Sequence, residues 1–361
     1  MYYLNKPKKI LLLFLIIILA LISIIIIGKS NKDAKENISL RSLADNQNFY
    51  VGAAVNSLYL DKDEKYKELI NDEVNLVTTE NEMKFDIIHP EEYRYDFSAA
   101  DKIVNFAKEN NQKIRGHTLV WHHRIPKWLE EGQFTKNEVK EILKQHIQTV
   151  VGRYKGQIYA WDVVNEAFND DGSLRENFWL KTLGPQYIEW SFQWAHEADP
   201  NALLFYNDFG IEMVNSKSIK VLETLNSLKQ KGVPIDGIGL QMHTHLASKI
   251  NISNLENVMQ NFSSVGLQIQ ITELDIGIAE GKESKNIKSK LQAKYYSDIF
   301  KICLKNEDCT AIVLWGITDK YTYRIKEEEP LIFDTKYKPK EAYWSISETL
   351  QTIKRKMEGN K

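Results

Sequence analysis

KIRGHTLVW at 113–121 and IYAWDVVN at 158–165 enclose a stretch, 136–154, whose apolar residues recur at helical spacing. The two quoted runs are short and rich in β-branched and aromatic residues, as strands are, and the segment between them has the period of a helix. Working outward, six more runs of the same kind follow the same alternation. They are 49–55 (FYVGAAV), 75–80 (NLVTTE), 203–207 (LLFYN), 237–243 (GIGLQMH), 269–274 (IQITEL) and 311–317 (AIVLWGI), which makes eight. Amphipathic segments lie between them at 98–110, 186–198, 216–231 and 288–306, and a last one at 339–353 follows the eighth run. In 98–110 the residues Ile103, Val104, Phe106 and Ala107 fall on one face, with Ser98 as the expected N-cap. Eight strands, each followed by a helix, is the count of a (β/α)8 barrel. No Gly/Pro/Ser-rich linker and no internal repeat divides residues 49–353, so one α/β domain is expected there.

Composition fits a folded globular body with one exception. Apolar residues make up 43% and charged residues 27% of the 361. Ile10 to Ile27 is apolar throughout except Ser23, directly behind Lys6, Lys8 and Lys9. This block reads as a hydrophobic helix, either an export signal or an uncleaved membrane anchor. The chain lacks an Ala-x-Ala-like site after it, which favours the anchor. Lysines before the block should stay on the cytoplasmic side, which puts the body outside the membrane. The expected organisation is therefore residues 1–28 as signal or anchor, 29–48 as a polar tether, 49–353 as the barrel and 354–361 as a basic tail. Beyond residue 29 the balance is 43 basic against 49 acidic residues, about −6, which offers no general attraction to nucleic acid. No second apolar run approaches 18 residues, so several membrane spans are excluded. Cys303 and Cys309 are the two cysteines, and an oxidising compartment would join them as a disulfide; two free thiols are the alternative.

In a (β/α)8 barrel the chemistry gathers at the C-terminal ends of the strands. Here those ends carry Glu80, Asn81, Glu82 and Lys84; His117, Trp121, His122 and His123; Asn165 and Glu166; Asn207 and Asp208; Gln241, His243 and His245; Glu273 and Asp275; and Trp315. A single acid in such a place is often an ordinary helix cap, but seven of eight strand ends of this character exceed what capping explains. Carboxylates, amides, histidines and tryptophans together suit a neutral polyhydroxy ligand. The chain has no Gly-rich phosphate loop, and no cofactor or metal is called for. Glu166 and Glu273 stand out as a pair able to flank a glycosidic bond, one protonating the leaving oxygen and the other stabilising or attacking the anomeric carbon. Asn165 is placed to meet a sugar hydroxyl, and His243 with Asp275 to orient Glu273 and keep it ionised.

At these residues the sequence closely resembles the endo-β-1,4-xylanases of glycoside hydrolase family ten. The resemblance rests on TTENEMKFD (78–86), ADKIVNFAKENN (100–111), RGHTLVWH (115–122), WDVVNEAF (161–168), LFYNDF (204–209), GVPIDGIGLQMH (232–243), ITELDI (271–276) and LWGITDKY (314–321), in the family's order. It implies endo-hydrolysis of xylan and xylo-oligosaccharides by a retaining mechanism, with Glu166 as acid/base, Glu273 as nucleophile and the two carboxyl groups about 5–5.5 Å apart. It also implies that Glu80, Asn81 and Lys84 hold the glycone sugar, and that His117, Trp121, Asn165, Gln241, His243 and Trp315 build the cleft floor. The cysteine spacing looks like a disulfide found in many members. Three places depart from the family pattern: His123-Arg124 after Trp121-His122, Tyr323 where a second tryptophan is common, and Phe209 where tyrosine is frequent. Arg124 is expected to tune recognition of acidic or branched xylan, and Tyr323 to border the cleft.

The other readings are a zinc hydrolase built on the His243/His245 pair, a non-catalytic carbohydrate-binding or inhibitor barrel, and a related β-glycanase acting on cellulose or mannan. The His-x-His pair lies too late in the barrel for the first, and both carboxylates persist against the second. Glu80, Asn81 and Lys84 favour xylose over the substrates of the third. A monomer outside the cell is expected, free or held at the membrane face through its N-terminal segment, because polymeric xylan cannot cross a membrane.

Overall fold

A computed structural model describes residues 39–353 other than 249, 280 and 281. Nine parallel strands follow one another in the chain: β1 (Tyr50–Val55), β2 (Leu76–Thr79), β3 (Lys113–Trp121), β4 (Ala160–Asn165), β5 (Leu203–Asp208), β6 (Gly237–Leu240), β7 (His243–His245), β8 (Gln268–Gly277) and β9 (Cys309–Leu314). Each of β1 to β5 pairs with the next, β1 pairs with β9, β9 with β8, and β8 with β6. That last pairing closes the ring into a barrel of eight staves, as expected from the sequence. β7 is a short addition beside β8, where it sets His243 opposite Asp275. The run 237–243 therefore breaks in two. Met242 takes a left-handed backbone (φ 65°) at the break, and its N–H donates to the buried Glu212 carboxylate at 2.9 Å.

Helices cover the outside of the staves. Those at Ser98–Glu109, Lys136–Arg153, Gln186–Ala198, Ser216–Gln230, Lys285–Lys305 and Glu341–Thr352 coincide with the amphipathic segments of the sequence. Two more, Glu64–Glu73 and Ile252–Ser264, fill the places after the first and sixth staves. The second of these buries Leu255, Val258, Met259 and Phe262, an i, i+3, i+4, i+7 stripe facing the barrel. Ser98 is not the N-cap of its helix but its first residue. Phe97 occupies the cap position, and Asp96 accepts the Ser98 N–H at 3.0 Å and its hydroxyl at 2.6 Å.

The domain begins earlier than the sequence pattern indicates. Within the stretch read as a tether, Leu40–Asp45 forms a helix capped by Ser39, and Leu40, Leu43 and Ala44 are buried. Six residues are too few for a periodic signal to stand out, and packing stabilises what propensity alone would not. Leu40 N–H donates to Glu73, Arg41 to the carbonyls of Asn71 and Asn110, and Gln47 to the carbonyl of Leu350. All these partners lie where strands begin and helices end, on the face of the barrel opposite its C-terminal rim. The expected apolar helix at Ile10–Ile27, the rest of the tether and the basic tail lie outside the described residues. Among the described residues no helix is long and apolar enough to cross a membrane.

The barrel interior is polar at its centre. Arg115 is fully buried; its two terminal nitrogens donate to Asp162 at 2.7 and 3.0 Å, and its Nε to Gln270 at 2.7 Å. Unpaired, either charge would be costly to bury. Near the rim, the Asp63 carboxylate accepts from Lys320 Nζ, Tyr321 Oη and Tyr337 Oη at 2.5, 2.6 and 2.5 Å. This ties the loop after β1 to the loop after β9. Cys303 and Cys309 form a disulfide between the last helix turn before β9 and the strand itself.

Candidate active site

The strand ends converge on a cleft of about 650 Å³ at the C-terminal rim. Glu80, Asn81, Lys84, His117, Trp121, Asn165, Gln241, His243, Trp315 and Tyr323 all line it, together with Glu166 and Glu273. Arg124 does not. Its Nε donates to both Asp86 oxygens at 2.8 and 2.9 Å, so one edge of its guanidinium is committed to a neighbouring carboxylate. The cation still acts at a distance. Burial, and after it Arg124, lowers the pKa of the Lys84 ammonium against the opposing pull of Glu273, Glu80 and Asp86. Lys84 donates to Asn81 Oδ1 at 2.9 Å and lies 5.1 Å from the Trp121 ring centre.

Glu273, near the middle of β8, is buried among donors. His243 Nε2 meets its Oε2 at 3.0 Å, and Asn207 Nδ2 donates to its Oε1 at 2.7 Å. The same imidazole reaches Asp275 Oδ2 through Nδ1 at 3.0 Å, and Asp275 also accepts from Arg324 Nε and Nη2 at 3.0 and 2.6 Å. Burial pushes the Glu273 pKa up. The His243 hydrogen bond, the charges of His117 and His243 and the Asn207 hydrogen bond outweigh it, so the net shift is downward. Burial likewise opposes the charge on His243, yet Asp275 and Glu273 raise its pKa to about 10. The arrangement is a carboxylate–imidazolium–carboxylate sandwich with its charge set by two anions around one cation.

Its pH dependence has a definite sign. The unfolded chain releases the His243 proton near pH 6.5 and the folded chain near 10. The stabilisation from this proton is full below about 6.5, declines as pH rises and is gone above about 10. The lowered Glu273 and Asp275 contribute above the ordinary carboxylate range and lose their share as pH falls through their folded values. The Tm gap between the wild-type chain and His243→Asn is therefore expected to shrink steadily from pH 6.5 to pH 10. A gap constant over that range contradicts the sandwich.

Glu166 has different company. It follows β4 directly in a left-handed conformation (φ 58°), which costs a non-glycine residue on the order of 1–3 kcal/mol. Three bonds hold it there: its N–H to Asn207 O at 2.9 Å, the next N–H to Tyr206 Oη at 2.9 Å, and Arg175 Nε to its carbonyl at 3.1 Å. The carboxylate accepts from neutral donors, Trp121 Nε1 at 2.9 Å, Gln241 Nε2 at 3.0 Å and Asn165 Nδ2 at 3.2 Å. Asn165 is thus committed at both ends, since its Oδ1 accepts from Asn207 at 2.8 Å.

Asn207 is the residue that sequence reasoning undervalued. It touches Asn165, Glu273 and, through its Oδ1, the Thr272 hydroxyl at 2.6 Å. A side chain at Gly239 would collide with it, so glycine there makes its position possible. Glu212, Phe209 and Met213 line the cleft from the loop after β5 and were likewise not singled out as binding groups. Arg324, also missed, holds Asp275 from the loop after β9. Behind Glu166, burial foremost pushes Asp208 up to about 7 against Lys217 and Tyr206. Burial, then His123, Arg175 and Lys217, pushes the His122 imidazole down to about 3. Among the described residues, His122, His123 and Glu166 are the group whose donor atoms could hold a metal ion.

An eight-stave barrel whose rim sets two buried carboxylates among amides, imidazoles and indoles defines a glycoside hydrolase of the (β/α)8 type. The chain belongs to glycosyl hydrolase family 10, whose model matches residues 39–349. It is 43% identical over 334 residues to endo-1,4-beta-xylanase B of Thermotoga neapolitana, covering 91% of this chain and 96% of that one. It is also 43% identical over 314 residues to the beta-1,4-xylanase of Dictyoglomus thermophilum, covering 82% and 87%. Among solved structures, xylanase 10B of Thermotoga petrophila RKU-1 in complex with xylobiose superposes with a TM-score of 0.84 at 46% identity, over 87% of this chain and 98% of that one.

Proposed function

We propose that this chain is an endo-1,4-β-xylanase that works by retaining double displacement. Glu273 is the nucleophile and Glu166 the general acid/base. The observation that carries the assignment is the contrast between the two carboxylates. Glu273 is locked against a protonated imidazole and keeps its negative charge, whereas Glu166 meets neutral donors at its carboxylate and can take and give a proton.

In the first step Glu273 attacks the anomeric carbon while the bond to the leaving oxygen breaks and Glu166 gives that oxygen its proton. In the second, Glu166 removes a proton from water, the water oxygen attacks the same carbon, and Glu273 leaves with its electron pair. His243 and Asn207 steady Glu273 through both steps. Glu80, Asn81 and Lys84 on one side of the bond supply acceptors and donors for the glycone hydroxyls, and the faces of Trp121 and Trp315 give sugar rings a surface to stack on. The xylanase names of the relatives and the xylobiose complex of the structural neighbour support xylan and xylo-oligosaccharides as substrates. The basic and apolar N-terminal sequence supports a location outside the membrane, where the polymer is.

Product analysis on plain and arabinose-decorated xylan tests the reading. Release of mixed short oligosaccharides from the start, with the new reducing ends formed as the β-anomer, is expected. Release of xylose alone, or of α-anomers first, overturns it.

A further inference from the structure

We propose that His122, His123 and Glu166 form a binding site for a divalent transition-metal ion of the zinc and copper class, and that filling it stops hydrolysis. Each of the three side chains offers one ligand atom, and these atoms lie within 4.8 Å of one another. The two histidines are neighbours in sequence, and in an extended strand they would point to opposite faces. Here the chain bends as it leaves β3, and the imidazole centroids come within 4.0 Å. His122 Nδ1 is buried and has no hydrogen-bond partner among the described residues. Two imidazole nitrogens and one carboxylate oxygen are a donor set that borderline divalent ions prefer over magnesium or calcium. Three protein ligands also leave a coordination position open to water.

The surrounding charge sets the affinity. Lys217 is matched by Asp208 at 2.8 Å, but Arg175 gives its protons to the carbonyls of Glu166 and Phe168 and keeps a net positive charge nearby. The site is therefore weaker than a structural zinc site. Occupation costs the enzyme its proton donor, because a Glu166 oxygen whose lone pair holds the metal has no proton to give. Binding stands on geometry alone; the loss of activity rests on the acid/base role proposed for Glu166, and the two are read separately. Both cysteines are in the disulfide, so a thiol cannot account for metal sensitivity.

The untagged full chain is titrated with zinc, copper(II) and magnesium chlorides by calorimetry, and xylan hydrolysis is followed in parallel with a chelator reversal. One zinc or copper ion per chain is expected, copper the tighter, with no binding of magnesium. His123 is exposed and lies outside the cleft lining, so His123→Ser keeps the metal-free activity and folds normally. That variant is expected to weaken both zinc binding and zinc inhibition at least about tenfold. Equal zinc affinity in the two proteins, or no binding to the wild type, overturns the site. Binding that depends on His123 without loss of hydrolysis overturns the inhibition and, with it, the assigned role of Glu166.

Discussion

Glu273→Ala is expected to remove nearly all turnover, lowering kcat by at least about 10⁴-fold, the scale on which deleting an enzymatic nucleophile acts. The loss should be the same for xylan and for aryl xylobiosides with good leaving groups. Both need the carboxylate to trap the anomeric carbon, and leaving-group quality cannot replace that bond. The fold should survive. His243 keeps Asp275 as a partner at 3.0 Å, Asp275 keeps Arg324, and Asn207 keeps Asn165. Substrate binding therefore persists while chemistry stops, and a KM close to that of the wild type with a collapsed kcat is the signature. Residual kcat within tenfold of the wild type, with Tm unchanged, rules out Glu273 as the nucleophile.

Glu166→Ala should instead separate the substrates. A positioned general acid contributes roughly 10²–10⁴-fold. On xylan, where the leaving alkoxide is a poor one, that whole factor is expected to disappear from kcat/KM. Aryl xylobiosides with acidic phenols leave without help, so their kcat/KM should fall far less, although kcat drops because the second step loses its base. The variant also frees Trp121 Nε1 and Gln241 Nε2, which now donate to Glu166; both face the open cleft, where water can replace the lost acceptor. Equal losses on the two substrate types would void the division of roles.

Much of the fold and the site is legible in the sequence. The eight short runs match the eight staves because strands buried in a closed barrel need β-branched and aromatic side chains throughout, and that composition is a local signal. The cleft was legible for a related reason: polar and indole side chains at the ends of apolar runs have few structural excuses, and eleven of the eighteen residues named at the strand ends line it. What escaped the sequence was pairing across long distances. Arg115 meets Gln270 and Arg324 meets Asp275 because the ring closes, and nothing in either local segment announces the partner. A charged residue inside an apolar strand run is the available hint, and Arg115 with Asp162 fits it. Arg124 is a like case: its charge was visible, but its short tie to Asp86, 38 residues away, was not.

The small helix at Leu40–Asp45 has a consequence for how the enzyme meets a solid polymer. It seats the start of the domain against the bottom of the staves, while Glu166, Glu273 and the indoles open at the top. Anything fastened through the residues before Ser39 is thus fastened at the enzyme's back. Were the protein moored there, its mouth would turn outward, toward a fibre approaching from the surroundings, and a bulky chain could slide through without first clearing the surface behind it.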